Sequence, residues 1–171
     1  HLPVEWHMIG PIQSNKTRLV AEHFDWVHSV DRLKTAQRLS DQRPGGLVPL
    51  QVCIQVNIDD GPNKSGVAPQ LAVELALQVA ALPRLQLRGV MVIPEPAPNS
   101  VAGHAVLTRA KAVFDEIGRC LQVPGAVAGH AVPAAFDTLS MGMSADLEAA
   151  VQCGSTLVRV GTAIFGGRAK P

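Results

Sequence analysis

The stretch Leu85-Gln86-Leu87-Arg88-Gly89-Val90-Met91-Val92-Ile93 decides the fold. It closes on a nearly continuous apolar, β-branched run, as expected of a parallel strand covered on both faces. Helical patterns flank it at residues 70–81 and 104–121. The same rhythm extends outward in both directions. Further strand-like runs lie at 6–9, 26–30, 52–58, 136–140 and 156–160, and further helical patterns at 16–23, 32–42 and 145–153. Strand–helix alternation of this kind reads as repeated βα units, six in number. Asp31 and Ser144 stand where N-caps belong, and Pro69 suits a first helical turn. Residues 59–66 form a turn-rich loop, and residues 122–135 a Pro/Gly/Ala-rich connector.

Six units admit an open doubly wound sheet or part of a (β/α)8 barrel. A full barrel takes about 250 residues and seldom fewer than about 200. At 171 residues the chain is short by about two units. A barrel lacking two strands would leave unpaired edges and should not be stable alone. The first residue is His1 and not Met, which predicts a fragment.

Composition narrows the function classes. Hydrophobic residues make up 47% and charged residues 17%, which excludes disorder. A net charge of +1 argues against a nucleic-acid binder. No run is long and apolar enough for a membrane span, and no signal peptide is visible. Cys53, Cys120 and Cys153 have no CxxC spacing and read as reduced thiols of a cytoplasmic protein.

The chemistry concentrates in Leu139-Ser140-Met141-Gly142-Met143-Ser144 and Val158-Arg159-Val160-Gly161-Thr162-Ala163-Ile164-Phe165-Gly166. Ser144 follows the penultimate strand, while Gly161 and Thr162 follow the last. Barrels commonly build a phosphate site from these two loops. The plainer reading makes Ser144 a cap and Gly161 a turn. Arg159 interrupts an apolar strand, so it needs an acceptor, whether a structural partner or a ligand. His7 and Gln13 lie near the end of the first strand, where His7 is either a hydrogen-bonded core histidine or part of the site. Lys64, in the loop after the third strand, is a solvated turn lysine unless its amine points at the barrel mouth. The histidines lack metal-ligand spacing, and no GxSxG elbow or P-loop occurs.

Taken together, Trp6-His7-Met8-Ile9-Gly10-Pro11-Ile12-Gln13-Ser14-Asn15-Lys16, Ser29-Val30-Asp31-Arg32, Leu87-Arg88-Gly89-Val90-Met91 and the two C-terminal segments resemble the pyridoxal phosphate homeostasis protein family (the YggS type, or proline synthetase co-transcribed homologue). The resemblance covers nearly the whole chain. It implies an α/β fold, a (β/α)8 TIM barrel like the alanine racemase N-terminal domain, of which residues 1–171 supply strands 3 to 8. It also implies pyridoxal 5'-phosphate as cofactor. The phosphate cradle would be Ser144, Gly161 and Thr162, Arg159 would meet the pyridine nitrogen, and His7 would join the cofactor site. The family's Schiff-base lysine lies on the first barrel strand, a segment this sequence does not include.

Arginine at the pyridine nitrogen keeps it unprotonated and weakens carbanion chemistry. Alanine racemases also use a tyrosine contributed with a C-terminal β-domain. This sequence has no tyrosine, and no second domain is expected after Gly166. The expectation is therefore a monomeric, cytoplasmic cofactor holder that regulates pyridoxal phosphate supply, with apo pyridoxal phosphate enzymes as recipients. The alternatives are a racemase-like pyridoxal phosphate enzyme and a barrel enzyme acting on a phosphorylated metabolite.

Overall fold

A computed structural model describes residues 2–59, 61, 65–97, 99–127 and 135–167. Five strands form one sheet: β1 (His7–Met8), β2 (Trp26–Val30), β3 (Leu50–Gln55), β4 (Leu85–Met91) and β5 (Thr138–Ser140). All neighbours pair in parallel, and the strands follow one another in chain order. That order excludes the doubly wound alternative, in which one strand is inserted out of sequence.

Every residue of β2 is buried, and five of the six in β3. Each strand uses its two faces differently. Val27, Val52, Ile54, Val90 and Leu139 point to the helices and join the main core. Trp26, Cys53 and Met91 form a separate small cluster on the other face, with Ile9 packed against it. Each fully buried aliphatic side chain contributes roughly 1.5–3 kcal/mol of transfer free energy.

Helices α1 (Thr17–His23), α2 (Leu33–Gln42), α3 (Ala72–Ala80), α4 (Ser100–Leu121), α5 (Leu147–Gln152) and α6 (Thr162–Phe165) connect or follow the strands. In α3 the buried set is Ala72, Leu75, Ala76 and Val79, the i, i+3, i+4, i+7 stripe of a helix lying on a sheet. Arg43 closes the end of α1: its Nη1 donates to the carbonyls of Ala21 (2.7 Å) and Phe24 (2.8 Å). Among the described residues no helix is long and apolar enough to cross a membrane.

Three local expectations are corrected. Residues 156–160 do not form a sixth ladder strand. Leu157 makes a single parallel bridge to Ser140, and beyond it the segment stays beside the β5 extension through the Arg159 N to Gly142 O bond without adding a ladder rung. The N-cap of α5 is Asp146, not Ser144, and Asp146 Oδ1 accepts from the Met143 N–H at 2.7 Å. The N-cap of α2 is Arg32, not Asp31. Asn99 supplies the clear side-chain cap, its Oδ1 accepting from Ala102 N at 2.9 Å at the start of α4. Lys64 lies outside the described residues, so the expectation about its amine is not addressed by the structure.

Candidate functional site

The site grows from the C-terminal end of β5. Beyond Ser140 the chain turns through Gly142, whose φ of +94° is one that side-chain-bearing residues rarely adopt. A Cβ there would also collide with Ala150. Ser155 Oγ donates to Met141 O at 2.7 Å and fixes the same turn from the other side. The C-terminal segment then runs back alongside it. Met141 N donates to Leu157 O at 3.2 Å, and Arg159 N to Gly142 O at 3.0 Å.

That last bond brings the two sequence-predicted segments together. Ser144 stands two residues beyond Gly142, and Gly161 two residues beyond Arg159. Each is therefore within about 7 Å of chain reach from one hydrogen bond. Ser144, Gly161 and Thr162 are all exposed. A Cβ built on Gly161 would meet nothing within 4 Å, so this backbone is open to an approaching group. Gly161 is also the N-cap of α6, and its carbonyl accepts from the Ile164 and Phe165 N–H groups.

Arg159 is half-buried. Its Nη1 donates to Ser140 Oγ at 2.7 Å and its Nη2 to Val92 O at 2.9 Å. Burial lowers its pKa, opposed by Asp146 and Cys53. The guanidinium has five N–H donors, and two are taken here, which leaves donors for a ligand. The acceptor expected from the sequence is thus met in part by protein.

His7 lies on β1 and pairs in register with Trp26, the first residue of β2. Its ring stacks on Trp26 (centroids 5.1 Å apart, 6° between planes), and its Nδ1 lies 2.8 Å from His28 Nε2. Burial lowers the pKa of His7. His28 is wholly buried, and burial, then His7 and Arg159, lower it to about 4. Its Nδ1 has no hydrogen-bond partner. Sequence reasoning passed over His28, although its spacing of two from Trp26 puts both on one face. It also passed over Ser140 as a partner of Arg159. Burial pushes the Cys53 thiol up to about 12, so it is no nucleophile.

A family model described as the N-terminal domain of alanine racemase matches residues 3–169. A Pasteurella multocida protein named pyridoxal phosphate homeostasis protein is 48% identical over 168 residues, covering 98% of this chain and 68% of that protein. The chain belongs to the pyridoxal phosphate homeostasis protein family. A Pseudomonas aeruginosa member of the same name is 54% identical over 98% of the chain, which spans 66% of that member's length. Among solved structures, PipY of Synechococcus elongatus with PLP bound matches with a TM-score of 0.80 and 34% identity, over 96% of this chain and 72% of PipY. The parallel order seen here is therefore that of the alanine racemase N-terminal fold.

Proposed function

We propose that the protein carrying this chain holds pyridoxal 5'-phosphate and regulates its supply, with the five strands and the Leu157 bridge serving as barrel strands 3 to 8. The observation that carries this reading is the Arg159 N to Gly142 O bond, which brings the Ser144 loop beside the Gly161–Thr162 loop. The donor set fits the ligand. Two hydroxyls, open backbone N–H groups and a guanidinium suit an anionic phosphoryl group at one end and an acceptor ring nitrogen at the other. The carboxylate of Asp146, which acts on Arg159 through space, accepts from the Met143 N–H. The relatives' shared name and the PLP bound in PipY support the same ligand.

In this reading Ser144 and Thr162 donate their hydroxyls, and Gly161 its exposed N–H, to phosphoryl oxygens. Arg159 donates to the pyridine nitrogen. A protonated guanidinium cannot accept a proton, so it leaves that nitrogen unprotonated. When bound, the cofactor supplies an aldehyde and an electron-accepting ring, and an unprotonated nitrogen weakens the latter. Holding therefore prevails over turnover. His7 contributes through its contact with His28, which in turn feels the charge of Arg159. The working protein is a cytoplasmic monomer, and apo enzymes that need the cofactor are its recipients.

Titration of the protein with pyridoxal 5'-phosphate and with pyridoxal, followed by absorbance, tests this. The phosphorylated form should bind at least about tenfold tighter, because each hydrogen bond to a charged oxygen contributes about 1.5–3 kcal/mol. Equal affinity for the two compounds would remove the phosphate cradle. Rapid racemisation of any amino acid in a panel would replace holding by catalysis.

A further inference from the structure

The Arg159 guanidinium returns from the last segment to one rung between β4 and β5. Met91 pairs in register with Ser140, and the next residue, Val92, donates its N–H to Ser140 O at 3.1 Å. The two acceptors of Arg159 flank that rung: Val92 O on the β4 side and Ser140 Oγ on the β5 side. Both belong to residues that are 0% exposed.

We propose that Ser140 is a positioning residue, whose hydroxyl fixes the plane of the Arg159 guanidinium so that its free N–H groups meet the ring nitrogen of the bound cofactor. This rests on the assignment of Arg159 to the ring nitrogen. A guanidinium is planar and sits on a long, freely rotating stem. One acceptor, Val92 O, would hold it at a point and let it swivel. A second acceptor on the neighbouring strand fixes the plane. Both acceptors are neutral and form no ion pair with Arg159, although the Asp146 carboxylate acts on it through space. Neither hydrogen bond therefore neutralises its charge, which stays available to a ligand. An aspartate at 140 would fix the plane equally well, but it would neutralise that charge.

A purely structural role, stitching the Leu157 segment to the sheet, predicts a different outcome. The experiment uses the protein loaded with pyridoxal 5'-phosphate and compares Ser140→Ala, Ser140→Cys, Ser140→Thr and Arg159→Gln. Its readouts are the absorbance maximum of the bound cofactor, the pH dependence of that maximum, and the dissociation constant. Arg159→Gln should shift the maximum. Ser140→Ala should reproduce a large part of the same shift, with affinity within about threefold of wild type because the phosphate contacts are intact. Ser140→Thr, which keeps the hydroxyl, should restore the wild-type spectrum. Ser140→Cys, close in size but a weak acceptor, should follow Ser140→Ala and serves where the alanine variant does not fold. If Arg159→Gln shifts the spectrum and neither Ser140→Ala nor Ser140→Cys does, the positioning role is overturned and the Arg159 assignment stands. If Arg159→Gln leaves the spectrum unchanged, the assignment fails and the positioning role falls with it.

Discussion

His7 Nδ1 and His28 Nε2 lie 2.8 Å apart, so a single proton between the two rings serves both. His28 is buried, with Arg159 as a further positive neighbour, and its pKa falls from 6.5 to about 4. The folded state thus keeps His28 neutral where the unfolded chain would protonate it. The contribution is complete above pH 6.5, is lost as pH falls toward 4, and levels off below that. The full loss is roughly 3 kcal/mol. Urea unfolding of wild type and His28→Gln at about pH 7 and pH 5 should show the wild type losing about 2 kcal/mol more. Equal losses in the two proteins would mean that His28 titrates normally.

Gly89 faces a harder constraint. It pairs with Thr138, and a Cβ on it would run into the Thr138 carbonyl oxygen, a backbone atom that cannot swing aside. Gly89→Ala should therefore destabilise the protein by about 3 kcal/mol or more, by prising β4 from β5. A Cβ on Gly46 meets nothing within 4 Å, and Gly46→Ala should change stability by less than about 0.5 kcal/mol. Urea midpoints of the two variants check both expectations.

Arg88 joins three neighbours on the inner face. It donates to both carboxylate oxygens of Asp137 (2.8–3.1 Å), to Gln51 Oε1 at 2.8 Å, and lies over the Trp26 ring at 4.9 Å. The Arg88 hydrogen bonds lower the pKa of Asp137, so their stabilisation is present at neutral pH and is lost as pH falls through that lowered value. Asp137 is 54% exposed, which limits the gain. Asp137→Asn should cost only about 0.5–1 kcal/mol near neutral pH. It should leave pyridoxal 5'-phosphate affinity unchanged, because Asp137 precedes β5 and the proposed cradle follows it. Thermal melts and a cofactor titration on one preparation test both halves.

Strand runs such as Trp26–Val30, and the α3 stripe of Leu75, Ala76 and Val79, were legible because periodicity and burial are local properties of sequence. The parallel order followed from the alternation of strands and helices. Residues 156–160 misled because an apolar β-branched run records what can be buried, not how many rungs a partner offers; one bridge, from Leu157 to Ser140, forms. The α5 cap misled because Ser144 and Asp146 are both good N-caps, and the Met143 N–H selects the aspartate. Arg159 announced itself as a charge in an apolar strand. Its partner Ser140, nineteen residues earlier, did not. His7 likewise gave no sign of its partner His28, which lies on the neighbouring strand. Long-range partners of this kind depend on register, which a single sequence leaves open.

The dissociation constant of pyridoxal 5'-phosphate from Ser144→Ala tests the central claim most directly. Ser144 is exposed and makes no cap, so its removal should leave the fold and melting temperature unchanged. Losing one hydroxyl bond to a charged oxygen should weaken binding about tenfold or more, with no shift in the bound cofactor's absorbance maximum. A Ser144→Ala protein that binds pyridoxal 5'-phosphate as tightly as wild type would contradict the assignment of the phosphoryl group to the Ser144, Gly161 and Thr162 loops.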